Sequence, residues 1–308
     1  MTYQLRKQLG IRWTLGDVTP LGFEALRLSV WGAYRIWGRS AAYGICVNTI
    51  PLERAQELTG DLPDEIRWHS ITAADLPELF QSHLDERLSE GVGWRFAPLR
   101  LFPDRYELSL DIGCILWRLP SAIRRWLADA GTESCLFAED VLTRHGQFDC
   151  LCGPEPCNSG LCGLPPGFDL GDALITVLQR QPVRLVSELD EQGLQAAALS
   201  LRREPLMVRL EEVTVCSPFP PHLPYLGACG AHFVGLNASQ PPWQLDGRAA
   251  SEYVKEHWLR HRDRIYTEVG IKPSLNQRRW GRELRITDSA AGVVGTPRLT
   301  PSSPPRPV

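Results

Sequence analysis

Residues 21–48, LGFEALRLSVWGAYRIWGRSAAYGICVN, combine a helical pattern with a strand pattern. Small and apolar residues recur at steps of three or four and therefore lie on one helix face: Leu21, Ala25, Leu28, Gly32 and Ile36. Residues 42–47, AYGICV, form a short apolar, β-prone run that ends at Asn48. A helix that leads directly into a buried strand is typical of chains that form a mostly parallel sheet covered by helices.

The same pattern continues on both sides of this stretch. Residues 17–20, DVTP, indicate the end of an earlier strand and a turn. Downstream, the pattern predicts strands at 66–71, 106–110, 136–138 and 206–215, and helices at 53–58, 76–88, 121–130, 169–179, 191–201 and 249–266. The sequence therefore predicts an α/β fold in which a mixed, mostly parallel sheet is flanked by helices.

The composition is that of an ordinary globular protein. The 308 residues are 43% hydrophobic and 22% charged, and the formal net charge is -3. This charge excludes the strongly basic surface of a nucleic-acid-binding protein. The N-terminal residues lack the apolar run of a signal peptide, and no segment approaches the roughly 18 uninterrupted apolar residues of a membrane helix. We therefore expect a cytoplasmic protein without a membrane span, whose nine cysteines are mostly reduced thiols.

Changes in composition near the C-terminus indicate domain boundaries. Residues 249–266 read as a charged helix rich in Arg and His, for which a solvated face is favoured over contact with a partner or an anionic surface. Beyond residue 288 the chain is rich in Gly, Thr, Ser and Pro, which favours disorder. We expect a main domain at 1–245, a helical extension at 246–284 and a disordered tail at 285–308.

Asp111 is the first candidate functional residue. It directly follows the predicted strand at 106–110, and carboxyl ends of strands are where open α/β sheets bind ligands. Its carboxylate suits Mg²⁺ or Mn²⁺, which commonly bridge protein carboxylates and phosphates. The competing interpretation is an ordinary solvated Asp at a strand end.

Two polar segments follow in the middle of the chain. Residues 158–167, NSGLCGLPPG, read as a loop whose glycines permit close approach to a ligand, although for this segment alone a tight structural loop is the favoured interpretation. Residues 187–194, SELDEQGL, place three acidic side chains and an amide at a helix start. The helix dipole favours acidic residues there, but not this density, and carboxylates and amides also bind sugar hydroxyls and carry acid/base chemistry.

A histidine between glycines forms the fourth candidate. Residues 227–237, GACGAHFVGLN, place His232 on a short apolar strand, and Pro241, Pro242 and Trp243 follow. A histidine in such a strand is usually a core residue, but the flanking glycines favour close approach of a ligand.

Together, these four segments resemble GT-A glycosyltransferases, most closely the glycogenin and galactosyltransferase-type branch, over about residues 13–243. The resemblance rests on Asp-x-Gly after a strand, the Asn-Ser-Gly-Leu segment, Asp-Glu-Gln before a helix, and His-Phe-x-Gly followed by Trp, in this order. It implies a Rossmann-like GT-A fold and transfer of a sugar from a nucleotide-sugar donor to an acceptor that the sequence does not identify.

The resemblance also implies roles for individual residues. Asp111 and His232 would bind a divalent cation, Mn²⁺ or Mg²⁺, on the donor diphosphate, and Gly235 would let the backbone approach that diphosphate. Val47, Asn48 and Thr49 would lie near the base and ribose, Arg95 and Arg100 would meet phosphates or the donor sugar, and Glu139 and Asp140 would lie on the acceptor side. Asn158, Asp190, Glu191 and Gln192 would border the reacting centre, with Asp190 the first candidate for stabilising an oxocarbenium-like state and Gln192 the second. The resemblance further implies retention of the anomeric configuration.

Two departures from the family pattern weaken donor binding. The family motif is Asp-x-Asp, whereas position 113 is Gly, and no Lys precedes Pro241, Pro242 and Trp243. The alternative is therefore a non-catalytic GT-A-like protein that binds a sugar or nucleotide without transferring it. A hydrolase with a catalytic triad is discounted, because the chain has no Gly-x-Ser-x-Gly elbow.

Four cysteines lie close together at positions 150, 152, 157 and 162. Four thiolates could bind zinc, but structural zinc sites usually contain paired Cys-x2-Cys knuckles, which this spacing lacks. Buried free thiols are the favoured interpretation, and a redox-labile disulfide is the remaining one.

Overall fold

The computed structural model describes residues 9–84, 93–128, 134–201, 203–236, 244–274 and 277–278. The chain divides into two compact units, residues 1–272 and residues 273–308. In the second unit, the backbone N–H of Arg278 donates to the carbonyl of Ser274, as in a helical turn. Every helix and strand named below belongs to the first unit. The predicted boundaries at 245 and 284 stay predictions.

Twelve strands alternate with seven α-helices in the described chain. The strands are β1 Leu9–Leu15, β2 Ala41–Val47, β3 Ile66–Ser70, β4 Tyr106–Leu110, β5 Cys114–Leu116, β6 Leu136–Glu139, β7 Cys157–Leu164, β8 Leu206–Val208, β9 Val213–Cys216, β10 Gly230–Phe233, β11 Gln244–Leu245 and β12 Arg248–Ala249. The helices are α1 Pro20–Trp37, α2 Leu52–Thr59, α3 Glu78–Gln81, α4 Ser121–Ala128, α5 Leu170–Arg180, α6 Glu188–Ser200 and α7 Ala250–Val269. Among the described residues, no helix has both the length and the apolar composition needed to cross a membrane.

The central sheet contains seven strands in the order β3-β2-β1-β4-β7-β6-β8. Strands β3, β2, β1 and β4 pair in parallel, and so do β6 and β8. Strand β7 runs antiparallel to both of its neighbours, β4 and β6. The predicted mixed, mostly parallel sheet flanked by helices is confirmed.

Helix α1 begins and ends at residues that suit those positions. The side chain of Thr19 accepts a hydrogen bond from the Gly22 N–H, and Pro20 opens the first turn. The helix ends at Gly38, whose φ of 56° favours glycine. One face of α1 packs on β1, where the indole N–H of Trp13 donates to the hydroxyl of Ser29 at 2.8 Å.

Three hydrophobic clusters fill the space between these layers. The first lies against the central sheet and includes residues of α1, α2 and α4. The second includes residues of α3, α5 and α6. The third joins α1 and α7 to a small sheet of strands in the order β5-β10-β9. Helix α7 therefore packs in a hydrophobic core, through Trp258 and Ile265 among others. Only one side of the helix is polar.

The structure corrects two predicted elements. The predicted loop at 158–167 is mostly strand, because β7 covers Cys157–Leu164 and all eight of its residues are buried. The predicted strand at 206–215 is two strands in different sheets, β8 and β9, separated by a turn. Part of the predicted helix at 76–88, the segment Pro241–Trp243 and the predicted tail at 285–308 lie outside the described residues.

Candidate functional site

A cleft of about 490 Å³ opens at the carboxyl ends of the parallel strands. Its wall includes Gly16 after β1, Asn48 after β2 and Asp111 after β4, together with Asn158 near the amino end of antiparallel β7. Parallel strands bring their carboxyl ends to one edge, which is where ligands bind in open α/β sheets. The volume is within the usual range of small-molecule sites, roughly 300–1,000 Å³.

Asp111 and His232 meet in this cleft. The Nε2 atom of His232 lies 3.3 Å from Oδ2 of Asp111. Asp111 follows β4, whereas His232 belongs to β10, a strand of the other sheet. A Cβ on Gly113 would lie 2.5 Å from the carbonyl oxygen of Phe233, so a side chain at position 113 would require the backbone to move. The close pairing of these backbone segments explains the absence of a second acidic residue there.

Arg95 lies between two carboxylates of the cleft. Its Nη2 is 2.9 Å from Oδ1 of Asp111, and its Nε donates to Oε1 of Glu191 at 2.5 Å. Its Nη1 donates to the carbonyl of Ser159 at 2.6 Å. These contacts fix the guanidinium and use three of its five N–H groups.

The two carboxyl groups respond differently to this environment. Burial alone would raise the pKa of Asp111, but Arg95 and His232 lower it well below its usual range. Burial raises the pKa of Glu191 to about 7, an effect that Arg95 only partly offsets. Asp111 is therefore a permanent anion at neutral pH, whereas Glu191 is poised to gain or lose a proton.

The acidic segment at the start of α6 divides between the cleft and the protein interior. Glu191 and Gln192 line the cleft, and Gln192 accepts a hydrogen bond from the Ser159 N–H at 3.1 Å. Asp190 does not line it. Its carboxylate accepts hydrogen bonds from the N–H groups of Gln147 and Val186, at 2.9 and 2.8 Å. The predicted catalytic role of Asp190 receives no support from this geometry, because its oxygens are engaged in fixing the start of α6.

The predicted nucleotide-binding residues lie at the ends of β1 and β2. Asn48 and Thr49 line the cleft, and Thr49 accepts a hydrogen bond from the Asp17 N–H at 2.9 Å. Val47 is buried at the last position of β2, next to this wall. Gly235 also lines the cleft and has a φ of 83°, which few other residues adopt.

Asn158 and Asp140 form a second polar wall. The amide of Asn158 donates to Oδ2 of Asp140 at 2.9 Å, and its carbonyl accepts from the Gly160 N–H. Asp140 follows β6 and lines the cleft, whereas Glu139 accepts a hydrogen bond from the Leu210 N–H outside it.

Arg100 and the four clustered cysteines lie elsewhere. Arg100 donates to the carbonyls of Pro165 and Phe168 and is not among the cleft residues, so it stabilises the loop after β7. Cys150 is exposed while Cys162 is fully buried. In the described part of the chain these thiols form no group that could hold a metal ion. This finding favours the interpretation as free thiols.

Sequence reasoning missed several residues of the cleft. Asp17, Arg144 and His222 all line it, although they come from three separate loops. Arg144 and His222 occur in polar or Pro-rich segments without a recognisable pattern, so no sequence signal identifies them. Asp17 lies at a predicted strand end, where its position offers the same signal as that of Asp111.

The donor atoms of Asp111 and His232 fit a divalent cation. Two ligands at about 2.1 Å from one octahedral ion, at right angles, are about 3.0 Å apart, close to the 3.3 Å observed here. Mg²⁺ commonly takes only one or two protein ligands and completes its coordination with phosphate oxygens and water. The lack of a ligand at Gly113 therefore does not exclude a metal, but it leaves more positions to the substrate and to water.

Two structures of LgtC are among the solved structures that are similar to this chain. The structure of an active-site mutant of LgtC has 13% sequence identity, covers 80% of this chain and 94% of its own, and gives a TM-score of 0.48. The galactosyltransferase LgtC in complex with donor and acceptor sugar analogues has 12% identity, covers 85% and 95%, and gives a TM-score of 0.47. No protein-family model and no curated protein sequence matches this chain. At this identity and TM-score, the likeness says nothing about what this chain binds or does.

Proposed function

We propose that this protein is a glycosyltransferase that moves a sugar from a nucleoside-diphosphate sugar to an acceptor, assisted by Mn²⁺ or Mg²⁺ at Asp111 and His232. The observation that carries the proposal is the convergence of Asp111, His232, Arg95 and Glu191 in one cleft at the carboxyl edge of the sheet. The cleft thus contains an anionic carboxylate (Asp111), a cationic guanidinium (Arg95) and a titratable carboxyl group (Glu191). The departure of a diphosphate requires groups of these kinds.

The charge of the cleft favours assistance by a cation. Five carboxyl groups line it (Asp17, Asp111, Asp140, Glu188 and Glu191), against two arginines (Arg95 and Arg144). A diphosphate would be repelled by this excess of negative charge, and a divalent cation between Asp111 and His232 reduces the repulsion. When bound, the cation stabilises the charge that develops on the leaving diphosphate.

The residues of the chain divide the remaining tasks. Asn48 and Thr49 bind the nucleoside, and the backbone at Gly235 binds the diphosphate. Arg95 has two N–H groups beyond its described contacts, and it directs them to an oxygen of the donor. Asn158 and Gln192 bind hydroxyl groups of the sugar.

Glu191 is the residue that stabilises the reacting carbon. As the bond between the anomeric carbon and the diphosphate oxygen breaks, positive charge develops on the sugar, and a nearby carboxylate stabilises it. We assign this role to Glu191 and not to the neighbouring Asp190, because of these two residues Glu191 is the one that lines the cleft wall. Asp190 acts as a positioning residue for the start of α6. The family resemblance implies retention of the anomeric configuration.

The test is nucleoside-diphosphate binding and release. Thermal unfolding is followed with a panel of nucleoside diphosphates and nucleotide sugars, with and without Mn²⁺, and release of diphosphate from the matching sugar donor is then measured. One diphosphate class should raise the unfolding temperature in the presence of Mn²⁺, since a ligand of the native state stabilises it. Asp111→Asn should abolish the shift, and the exposed control Asp104→Asn should keep it. A shift in the Asp111→Asn variant equal to that of the wild type would contradict the proposal.

The second candidate function is binding of a sugar nucleotide without transfer. The specific observation in its favour is the approach of the Phe233 carbonyl to Gly113, which excludes a second acidic ligand. Release of diphosphate separates the two functions. A metal-dependent shift without release, with several acceptors and with water, indicates a binding protein, whereas release that Glu191→Gln abolishes indicates a transferase.

A further inference from the structure

A cluster of metal-ligating side chains lies outside the cleft. It contains Cys216 at the end of β9 and His257 and His261, one turn apart on α7. One ligand atom from each residue lies within 4.8 Å of the other two. The pair Cys216 Sγ and His257 Nε2 is 3.2 Å apart. Among the described residues, this is the group of three or more Cys, His, Asp or Glu side chains whose ligand atoms lie close enough to hold one metal ion.

Burial and hydrogen bonding orient the ligand atoms. Cys216 and His257 are 1% and 3% exposed, and His261 is half-buried. The Nε2 of His261 lies 3.0 Å from the carbonyl oxygen of Pro224, which suits donation of its N–H and leaves Nδ1 with the lone pair. A ligating histidine commonly donates its other N–H to a backbone carbonyl in this way.

Packing alone does not explain a histidine at position 257. Its ring contacts the aromatic ring of Phe233, as an apolar side chain would. However, its Nδ1 is buried and has no hydrogen-bond partner among the described residues. The buried Nδ1 atom therefore costs free energy at a place where a leucine or phenylalanine would pack without that cost.

We propose that Cys216, His257 and His261 bind Zn²⁺, with water as the fourth ligand. A thiolate and two imidazoles suit zinc, and two histidines one turn apart on a helix are a known zinc-binding arrangement. Around a tetrahedral ion the ligand atoms are about 3.4–3.6 Å apart, so the longest separation here contracts by about 1 Å. Half-buried His261 is the side chain with the freedom to make that movement. On binding, the Cys216 thiol loses its proton to solvent as the Zn–S bond forms.

The ion would fasten α7 to the small sheet on the side opposite the cleft. His232 and Phe233 are consecutive residues of β10, so their side chains point to opposite faces. His232 faces Asp111, whereas Phe233 packs on Trp258 and His257. Zinc would therefore stabilise the strand that carries His232 without contacting the donor. The proposal does not rest on the proposed transferase function.

The first test is a titration of the metal-free protein with Co²⁺, which takes the place of zinc and has visible absorption. The wild type should bind one equivalent with a thiolate-to-cobalt charge-transfer band, and Zn²⁺ should displace it. Cys216→Ser should lose the band, and His261→Gln should bind more than about 100-fold more weakly, beyond the 10–100-fold effect of an outer-shell partner. Cys150→Ser, at an exposed thiol, and Asp111→Asn, in the cleft, should keep the band.

Two outcomes would overturn the proposal. One is a wild type without a thiolate band, and the other is a band that persists at equal intensity in Cys216→Ser. Thermal unfolding with and without Zn²⁺ decides the matter should Cys216→Ser fail to fold. Zinc should raise the unfolding temperature of the wild type and of Cys150→Ser but not that of His261→Gln, and an equal rise in all three contradicts the site.

Discussion

Glu191→Gln should remove a pH-dependent loss of stability. Burial raises the pKa of Glu191 from 4.5 to about 7 in the folded protein, despite the ion pair with Arg95. Between these two values the unfolded chain has released the proton while the folded protein keeps it, so stability falls as pH rises. With 1.36 kcal/mol for each unit of pKa, the loss is about 3 kcal/mol and is complete above about pH 8. The amide of the variant cannot ionise, but its carbonyl oxygen still accepts the Arg95 N–H.

The assay is urea unfolding followed by tryptophan fluorescence, from about pH 5 to about pH 8. Relative to the wild type, the Glu191→Gln variant should gain about 2.5 kcal/mol of unfolding free energy across this range, because part of the loss has already occurred at about pH 5. Buried histidines with lowered pKa values, such as His257, change the stability of both proteins alike and cancel in the difference. Glu204→Gln, at an exposed residue outside the cleft, is the control and should follow the wild type. A difference between Glu191→Gln and wild type that stays constant within about 0.5 kcal/mol would refute the reasoning.

Three further substitutions test the site and its support. In Gly160→Ala the new Cβ would lie 2.1 Å from the His232 ring, so metal-dependent binding of nucleoside diphosphate should fall while the fold is kept. Glu24→Gln weakens a buried ion pair with Arg262 and should cost about 3–5 kcal/mol of unfolding free energy, measured in urea. Asp190→Asn replaces an acceptor of two backbone N–H groups and should cost about 1–3 kcal/mol, with diphosphate release per folded molecule close to that of the wild type.

Each of these substitutions has its own contradicting result. Gly153→Ala is the control for the glycine change, because a Cβ there meets nothing within 4 Å, and equal binding by both alanine variants would contradict the role of His232. A Glu24→Gln protein as stable as the wild type would contradict the stabilising role of the Glu24–Arg262 ion pair. Loss of release in a fully folded Asp190→Asn protein would restore Asp190 as the catalytic carboxylate.

The spacing of apolar residues predicted most of the helices and strands, because this local pattern mainly decides where they form. The predicted helix at 21–37 and strand at 42–47 agree with Pro20–Trp37 and Ala41–Val47 within one residue. The predicted strand at 206–215 failed because alternation of side chains cannot tell one strand from two strands in different sheets. The predicted loop at 158–167 failed because its glycines have a packing cause. A Cβ at Gly163 would lie 2.7 Å from the Trp126 ring, and one at Gly160 would meet His232.

Long-range contacts decided which charged residues meet in the cleft. The sequence placed Arg95 and Arg100 on equal terms, but only Arg95 reaches Asp111, while Arg100 is engaged by carbonyls near Pro165. The cluster of Cys216 with the histidines of α7 could not be predicted from the sequence either, because Cys216 and His257 are 41 positions apart in the chain.

The sequence alone determined the alternation of helices and strands, the position of Asp111 at a strand end and the selection of His232 as a candidate. Only the tertiary structure decided that Glu191, and not its neighbour Asp190, lines the cleft. Consecutive residues of a helix point about 100° apart, so Asp190 and Glu191 cannot both face the same side. Packing of α6 against residues 146–151 turns Asp190 towards the Gln147 backbone and leaves Glu191 to Arg95. That rotation depends on contacts between segments more than 40 residues apart, which no local pattern records.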